Sequence, residues 1–242
     1  MNQTIKELNE RKSVRVFEQR AIGAKEKQAI LSAAVMAPTA GNQQLYTIID
    51  ITDEAKKQRL AVLCDDQPFI ASAPLVLIFC ADCKKWYDAY KAVDCKPRRP
   101  GVGDLLLAVS DANIAAQNTV TAAWSMGIGS CYIGDVMEQC EPMRELLGLP
   151  EYVFPAAMLV YGYPTEQQKQ REKPQRAAMQ HIVHENGYRS MDDSELEQML
   201  EYKAGQREYV DWLRAFCERK YDSDFSREMT RSVAEYLKDF SK

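Results

Sequence analysis

The order of apolar and polar positions along the chain predicts strands alternating with helices up to about residue 161. Apolar and β-branched runs predict strands at residues 46–51, 75–80 and 153–161. Helical spacing predicts helices at residues 4–9, 25–37, 54–64, 105–126 and 141–147. The run at 75–80 lacks polar alternation, which is typical of a strand covered on both faces. This order indicates an α/β or α+β sheet between layers of helices.

Two regions differ from that alternation. The helix at 105–126 carries alanines at six positions (108, 112, 115, 116, 122 and 123), so it is expected to be central and closely packed, and we hypothesise a subunit contact along it. From residue 193 onward the pattern is helical and charged, with one apolar stripe per helix. We therefore predict a core domain at residues 1–190 and a helical extension at 191–242, packed on the core or on a partner subunit.

Composition excludes several classes of protein. The chain has 242 residues, is 46% hydrophobic and carries a net charge of −4, which disfavours a general nucleic-acid binder. Residues 1–20 lack an apolar signal core, and no apolar run approaches the roughly 20 residues of a membrane span. We expect a cytoplasmic protein without a membrane or nucleic-acid partner.

Cysteine and histidine offer little chemistry of their own. The seven cysteines are scattered and are expected to be reduced thiols. Cys80 and Cys83 form a CxxC without a second pair, so coincidence is favoured over a metal site. His181 and His184 are the only histidines and are expected on a polar surface. We predict no metal and no catalytic side chain.

A basic cluster near the N-terminus is the first candidate binding site. Arg11, Ser13 and Arg15 alternate, with Lys12 between them, so an extended backbone would project two guanidinium groups and a hydroxyl from one face. Such a face suits a phosphate ester. A solvated basic turn is the alternative.

Recognisable motifs of cofactor-free enzymes are missing. The chain has no G-x-S-x-G, no Walker sequence and no convincing Cys–His pair. The glycines of residues 127–135 follow a helix and are misplaced for a dinucleotide fold. An enzyme poor in catalytic groups relies on a cofactor, which the protein binds and orients.

Three stretches together carry a family resemblance. The R-x-S-x-R-x-F of residues 11–17, the P-T-x-x-N-x-Q of residues 38–44 and the K-P-x-R of residues 173–176 resemble the FMN-dependent nitroreductase family. The similarity covers residues 4–186 and points to larger members with a C-terminal helical extension. It implies an α+β fold with a mostly antiparallel sheet flanked by helices, in an intertwined homodimer with FMN at each subunit contact.

The resemblance also implies which residues bind FMN. Arg11, Lys12, Ser13 and Arg15 would hold the phosphate, ribityl and pyrimidine side, and Lys173 and Arg176 would complete the phosphate site. The other implied FMN contacts are Pro38, Thr39, Asn42 and Gln44 from the second subunit, Gln67 at the pyrimidine edge, and Tyr132, Ile133 and Gly134 near N5. For Gln67 and Tyr132, ordinary packing is an equal alternative.

The implied activity is an NAD(P)H oxidoreductase that works by a ping-pong hydride transfer through flavin N5 to nitroaromatics, quinones or free flavin. Trp86, Tyr87 and Tyr90 belong to a segment that either covers the substrate or is a loop with a short helix. Two alternatives stay open: specialised flavin chemistry such as reductive dehalogenation or flavin breakdown, and a non-enzymatic flavin-binding scaffold.

Overall fold

The computed structural model describes residues 2–241, which form four strands and eleven α-helices joined by short 3-10 turns. The strands are β1 (Tyr46–Asp50), β2 (Leu75–Asp82), β3 (Gly129–Ile133) and β4 (Val153–Gly162). The helices are α1 (Gln3–Glu10), α2 (Ala24–Val35), α3 (Glu54–Leu63), α4 (Pro68–Ala71), α5 (Lys84–Ala92), α6 (Val102–Ser125), α7 (Cys140–Leu147), α8 (Glu166–Gln170), α9 (Asp193–Leu200), α10 (Tyr209–Lys220) and α11 (Asp224–Leu237).

The sheet has the strand order β1-β2-β4-β3, and its three pairings are all antiparallel. The two inner strands, β2 and β4, are buried along their whole length, as their uninterrupted apolar sequences predict. The predicted α+β architecture with an antiparallel sheet is therefore confirmed.

Helix α6 is the main support of the sheet. It contacts all four strands and α2, and five of its alanines (108, 112, 115, 116 and 123) are buried. Small side chains let the helix lie close to the sheet, which confirms the prediction of a central, tightly packed helix.

The segment that follows α1 lies against the β3 end of the sheet. The N–H of Val14 donates to the carbonyl of Ser130 at 2.9 Å, and the N–H of Glu18 donates to the carbonyl of Tyr163 at 2.8 Å. A Cβ on Gly129 would lie 2.5 Å from a methyl of Val14. A Cβ on Gly162 would lie 2.6 Å from the ring of Phe17. Only glycine leaves room for this segment, so these two positions determine where the basic cluster lies.

Several sequence-based expectations are corrected. Helix α1 begins at Gln3, one residue before the predicted start, and Asn2 caps it by accepting from the N–H of Ile5. Strand β3 and the short helix α4 were not predicted, since glycines and proline mask them. Helix α8, in the polar stretch after β4, was not among the predicted helices. In the segment 82–104, α5 is the short helix of the second alternative, and residues 93–101 connect it to α6.

The described chain divides into two compact units. The first runs from the N-terminus to Arg171 and resumes at Glu228, so the end of the chain belongs to the core unit. Tyr236 and Phe240 from that end lie in its hydrophobic core. The second unit is Glu172–Arg227 and contains α9 and α10. These limits differ from the single boundary at residue 190 that the sequence predicts.

Within the second unit, His181 is buried at 8% exposure, so its predicted place on a polar surface was wrong. It ends a short 3-10 turn, Met179–His181, and its Nδ1 has no hydrogen-bond partner. No helix in residues 2–241 has a stretch long and apolar enough to cross a bilayer.

We predict that Gly129→Ala lowers the free energy of unfolding by roughly 1–3 kcal/mol, because the new methyl group overlaps Val14. Urea denaturation measures the change. Gly103→Ala is the matched control: a Cβ there meets nothing within 4 Å inside α6, so alanine should be neutral or slightly stabilising. Equal midpoints for the two variants would contradict the close approach.

Candidate functional site

Two arginines of the N-terminal cluster are available to a ligand. Within residues 2–241, neither Arg11 nor Arg15 forms an ion pair with a carboxylate. Nη1 of Arg11 is buried and has no hydrogen-bond partner. A buried guanidinium nitrogen without an acceptor is costly, so this arrangement favours an anion that supplies one.

Lys12 has a structural role in the same segment. Its Nζ donates to the carbonyl of Lys169 at 2.7 Å and also to the carbonyl of Arg171, at the end of α8. The guanidinium of Arg171 donates in return to the carbonyl of Ser13. These bonds fasten the segment to α8 and leave Lys12 less free than Arg11 or Arg15 to bind a ligand.

The predicted segment 132–134 lies beside this cluster. Burial raises the pKa of Tyr132 to about 12, and the positive charge of Arg11 partly opposes that rise. Burial likewise raises the pKa of the Cys131 thiol, against the lowering effects of Arg15 and of a hydrogen bond with Ser13. The structure therefore brings the predicted residues of β3 and the basic cluster together. Ile133 is buried and Gly134 is exposed at the end of the strand.

Gln67 reaches the same side of the sheet. Its amide nitrogen donates to the carbonyl of Cys64 at 2.7 Å and to the carboxylate of Asp135 at 3.1 Å, just after Gly134. The guanidinium of Arg15 lies 5.9 Å from the ring centroid of Phe69, two residues after Gln67. Sequence reasoning missed Asp135, because a single acidic residue after a strand gives no signal by itself.

The loop that contains Pro38, Thr39, Asn42 and Gln44 is held by a different part of the molecule. The carboxylate of Asp111, 2% exposed on α6, accepts from the N–H of Ala40 at 2.9 Å and from the N–H of Leu45 at 3.1 Å.

Further constraints fix the loop's shape. Asn42 and Gln44 both have positive φ, and Thr39 Oγ1 accepts from the N–H of Gln44 at 3.0 Å. Pro38 is exposed directly after α2. Within residues 2–241, the side chains that hydrogen-bond this loop belong to the loop itself, α5 and α6, and none is Arg11, Ser13 or Arg15.

The aromatic residues of segment 82–104 lie on α5 and line a cavity of about 310 Å³. Nε1 of Trp86 donates to the carbonyl of Gln43 at 2.7 Å, which joins α5 to the strained loop. The ring centroids of Trp86 and Tyr90 are 5.7 Å apart, and the ring of Tyr87 packs edge-on against that of Tyr152. Trp86, Tyr87 and Tyr90 thus lie together on a helix that is anchored to the core.

Arg176 belongs to the second unit, where it lines an open cleft of about 560 Å³. The cleft also contains Lys203, Arg207 and Arg219, whose charges lie beside Trp212 and Phe216. Four cations next to two aromatic rings suit an anionic ligand with a planar ring. Lys173 lies in the same unit but outside this lining.

Glu138 is a buried acid that the sequence did not single out. It is 4% exposed, and its Oε1 has no hydrogen-bond partner. Burial, followed by the negative charges of Asp135, Asp65 and Glu228, raises the pKa of Glu138 to about 7. The carboxyl group is therefore partly protonated at neutral pH.

The CxxC pair has no reactive character. Cys80 and Cys83 are buried, and burial raises the pKa of each thiol to about 12. A protonated, enclosed thiol is a poor nucleophile and a poor metal ligand, so the pair is part of the core.

The Nitroreductase family model matches residues 8–163, more than half of the chain. The chain belongs to the nitroreductase family. It is 29% identical over 239 residues to an FMN reductase [NAD(P)H] of Bacillus subtilis, covering 98% of this chain and 91% of that protein. It is 34% identical over 207 residues to an oxygen-insensitive NADPH nitroreductase of Salmonella typhimurium, covering 84% of this chain and 83% of that protein.

Among solved structures, the nitroreductase NfrA1 of Bacillus subtilis superimposes with a TM-score of 0.84 at 26% identity, covering 97% of this chain and 98% of that one. The core unit and the second unit are thus both represented in structures of this nitroreductase family. The resemblance seen in the sequence is confirmed.

The residues of this nitroreductase fit the phosphate and ring of FMN. The phosphate group needs fixed cations, and Arg11 and Arg15 are unpaired, with one nitrogen of Arg11 buried and unsatisfied. The ring needs amide and backbone groups beside a flat surface, and Gln67 with residues 132–134 supplies them next to the same arginines.

We predict a pH-dependent gain of stability in Glu138→Gln. Because the pKa of Glu138 is raised in the folded state to about 7, the folded chain keeps a proton that the unfolded chain releases above its ordinary pKa of roughly 4.3. Wild-type stability therefore falls as pH rises through this window. The variant should gain roughly 1–3 kcal/mol relative to wild type between pH 5 and pH 8.

Urea denaturation at several pH values measures that difference. Glu145→Gln, at an exposed position of α7, is the matched control and should show no such trend. A stability difference between Glu138→Gln and wild type that is independent of pH contradicts the raised pKa.

Proposed function

We propose that this protein is an FMN-dependent NAD(P)H oxidoreductase that passes electrons to small-molecule acceptors such as nitroaromatics, quinones or free flavin. One observation carries this proposal. Arg11 and Arg15 lie beside residues 132–134, and neither forms an ion pair with a carboxylate in the described chain. When bound, FMN supplies the chemistry, since its N5 accepts a hydride from NAD(P)H and returns the electrons to an acceptor.

The chain's own groups then bind and orient the cofactor. Arg11 and Arg15 neutralise the phosphate and the electron-rich pyrimidine side, and Ser13 adds a hydroxyl donor. Lys12 acts through the backbone, because its ammonium holds the end of α8. The phosphate role proposed for Lys173 and Arg176 rests on the K-P-x-R motif of the sequence. Seven free cysteines fit a reducing compartment, which supports a cytoplasmic location.

A homodimer with shared sites accounts for the separate placement of the loop with Pro38, Thr39, Asn42 and Gln44. Its anchors lie on α5 and α6, apart from the arginines of the same chain, so it is suited to reach the FMN of a second copy. The exposed side of α6 supports this arrangement. Leu106 is 62% exposed, and Leu107 and Ile114 are also exposed along the same helix.

The cavity lined by Trp86, Tyr87 and Tyr90 is the site we propose for the acceptor. Its volume of about 310 Å³ suits a small planar molecule, and three of its eleven lining residues are aromatic. The ion pair of Arg98 with Asp104, whose atoms approach to 2.5 Å, lies in the same lining and offers a polar contact for a nitro or quinone oxygen.

Purified protein is expected to be yellow, to show the absorption of bound FMN and to lose that absorption when NADH or NADPH is added without oxygen. Steady-state oxidation of NAD(P)H with menadione or nitrofurazone should follow. Bound FMN without turnover would instead identify a flavin carrier, and a colourless protein that refuses added FMN would refute the proposal.

We predict that Arg15→Ala weakens FMN binding roughly 10- to 100-fold, because it removes a charge-assisted contact of about 1.5–3 kcal/mol. It should also lower the reduction potential of the bound flavin, since a positive charge stabilises the reduced anionic form. Fluorescence titration and spectroelectrochemistry measure both. Arg59→Ala, at an exposed position of α3, is the control and should retain wild-type values.

We predict that Leu106→Glu converts a dimer into a monomer of 27.5 kDa, because a buried charge opposes association through α6. Light scattering after size-exclusion chromatography gives the mass. Val62→Glu, on the exposed side of α3, is the control and should leave the dimer intact. FMN should be lost together with the dimer if the sites are shared, whereas a wild-type monomer would rule out the shared site.

A further inference from the structure

The side-chain amide of Gln67 has both of its hydrogens committed within the protein. An amide nitrogen carries two N–H donors. Here one donates to the carbonyl of Cys64 at 2.7 Å, and the other donates to Oδ2 of Asp135 at 3.1 Å. The half-buried side chain therefore has one polar atom with free capacity, the acceptor Oε1.

The reverse orientation of the amide is disfavoured. Rotation by 180° would place Oε1 against a carboxylate and a carbonyl, both of which can only accept. The backbone adds a second constraint, because Asp65 and Asp66 have positive φ and the N–H of Gln67 donates to the carbonyl of Ala61 at 2.9 Å. The turn and Asp135 together fix both the position and the polarity of the amide.

The pyrimidine edge of an oxidised flavin has a matching pattern. It presents one N–H donor, at N3, between two carbonyl acceptors. An amide free to rotate would pair with N3–H or with either carbonyl. An amide fixed with Oε1 outward pairs with N3–H alone, and it is repelled by the carbonyl oxygens.

We propose that Asp135 is a positioning residue that holds Gln67 as an obligate hydrogen-bond acceptor for the N3–H of the flavin. This proposal rests on the FMN binding proposed above. It adds a specificity rule: the site discriminates against flavins that lack a hydrogen on N3, and Asp135 is the origin of that discrimination.

The probe is FMN methylated at N3, compared with FMN itself by fluorescence titration of the apoprotein. Wild type should bind the methylated flavin at least tenfold more weakly, because a charge-free hydrogen bond is lost and Oε1 is left unpaired. Gln67→Ala should bind the two flavins within about threefold of each other. Gln58→Ala removes an exposed amide from α3 and should keep the wild-type ratio.

Substitution of Asp135 separates positioning from simple crowding by the methyl group. In Asp135→Leu the amide of Gln67 keeps only its bond to the carbonyl of Cys64, so its orientation is held less strictly and the preference for FMN should fall to about threefold or less. Asp135→Asn can still present an oxygen to Gln67 and should retain most of the preference. If Asp135→Leu does not fold, Asp135→Ala takes its place in the same comparison.

The outcomes distinguish this proposal from the proposed function. Wild-type protein that binds neither flavin refutes FMN binding altogether. Protein that binds both equally refutes only the acceptor role of Gln67. A wild-type preference that persists in Asp135→Leu, or in Asp135→Ala where it takes its place, shows that the methyl group is excluded sterically, which overturns the role of Asp135.

Discussion

The contact between the N-terminal segment and the end of the sheet is the constraint on which the candidate site depends. Val14 and Phe17 lie where a Cβ on Gly129 or Gly162 would be, at 2.5 and 2.6 Å. The hydrogen bond from the N–H of Val14 to the carbonyl of Ser130 then holds the segment with Arg11, Ser13 and Arg15 beside β3. Without those glycines the segment would have to move outward, and the cations would lose their position beside β3.

Three acidic side chains, Asp111, Asp135 and Glu138, lie close to other parts of the site in different environments. Asp111 is satisfied by two backbone N–H groups and keeps a strained loop closed. Asp135 accepts from a side-chain amide and orients it. Glu138 has an unpartnered oxygen, so its burial favours the protonated form and raises its pKa. An acidic side chain thus acts as a loop anchor, an orienting group or a proton-holding group, depending on its burial, its hydrogen-bond donors and the charges near it.

The two halves of the predicted FMN site are organised separately in one chain. Arg11, Gln67 and residues 132–134 are joined by contacts around β3, whereas the loop at 38–44 is joined to α5 and α6. Such a separation is expected of a site shared by two copies, in which each copy supplies cofactor-binding residues of its own and a loop for the site of its partner. In the proposed dimer such a site would couple assembly to cofactor binding, because each copy would supply one half of it.

Local sequence determined much of this protein. Apolar runs gave β1, β2 and β4, alanine spacing gave α6, and the R-x-S-x-R and P-T-x-x-N-x-Q motifs gave the family and the candidate site. Strand β3 could not be found this way, because Gly129 and Ser130 are poor strand formers and adopt a strand only through pairing with β4.

Tertiary structure alone decided which of the charged groups are free. Lys12 and Arg15 look equivalent in the sequence, yet the ammonium of Lys12 binds two carbonyls of a distant helix and Arg15 has no carboxylate partner in the described chain. The sequence likewise does not predict the roles of Asp111, Asp135 and Glu138, because those roles depend on residues far away in the chain. Periodicity and motifs are properties of neighbouring residues, whereas hydrogen-bond partners and burial arise only when distant segments meet.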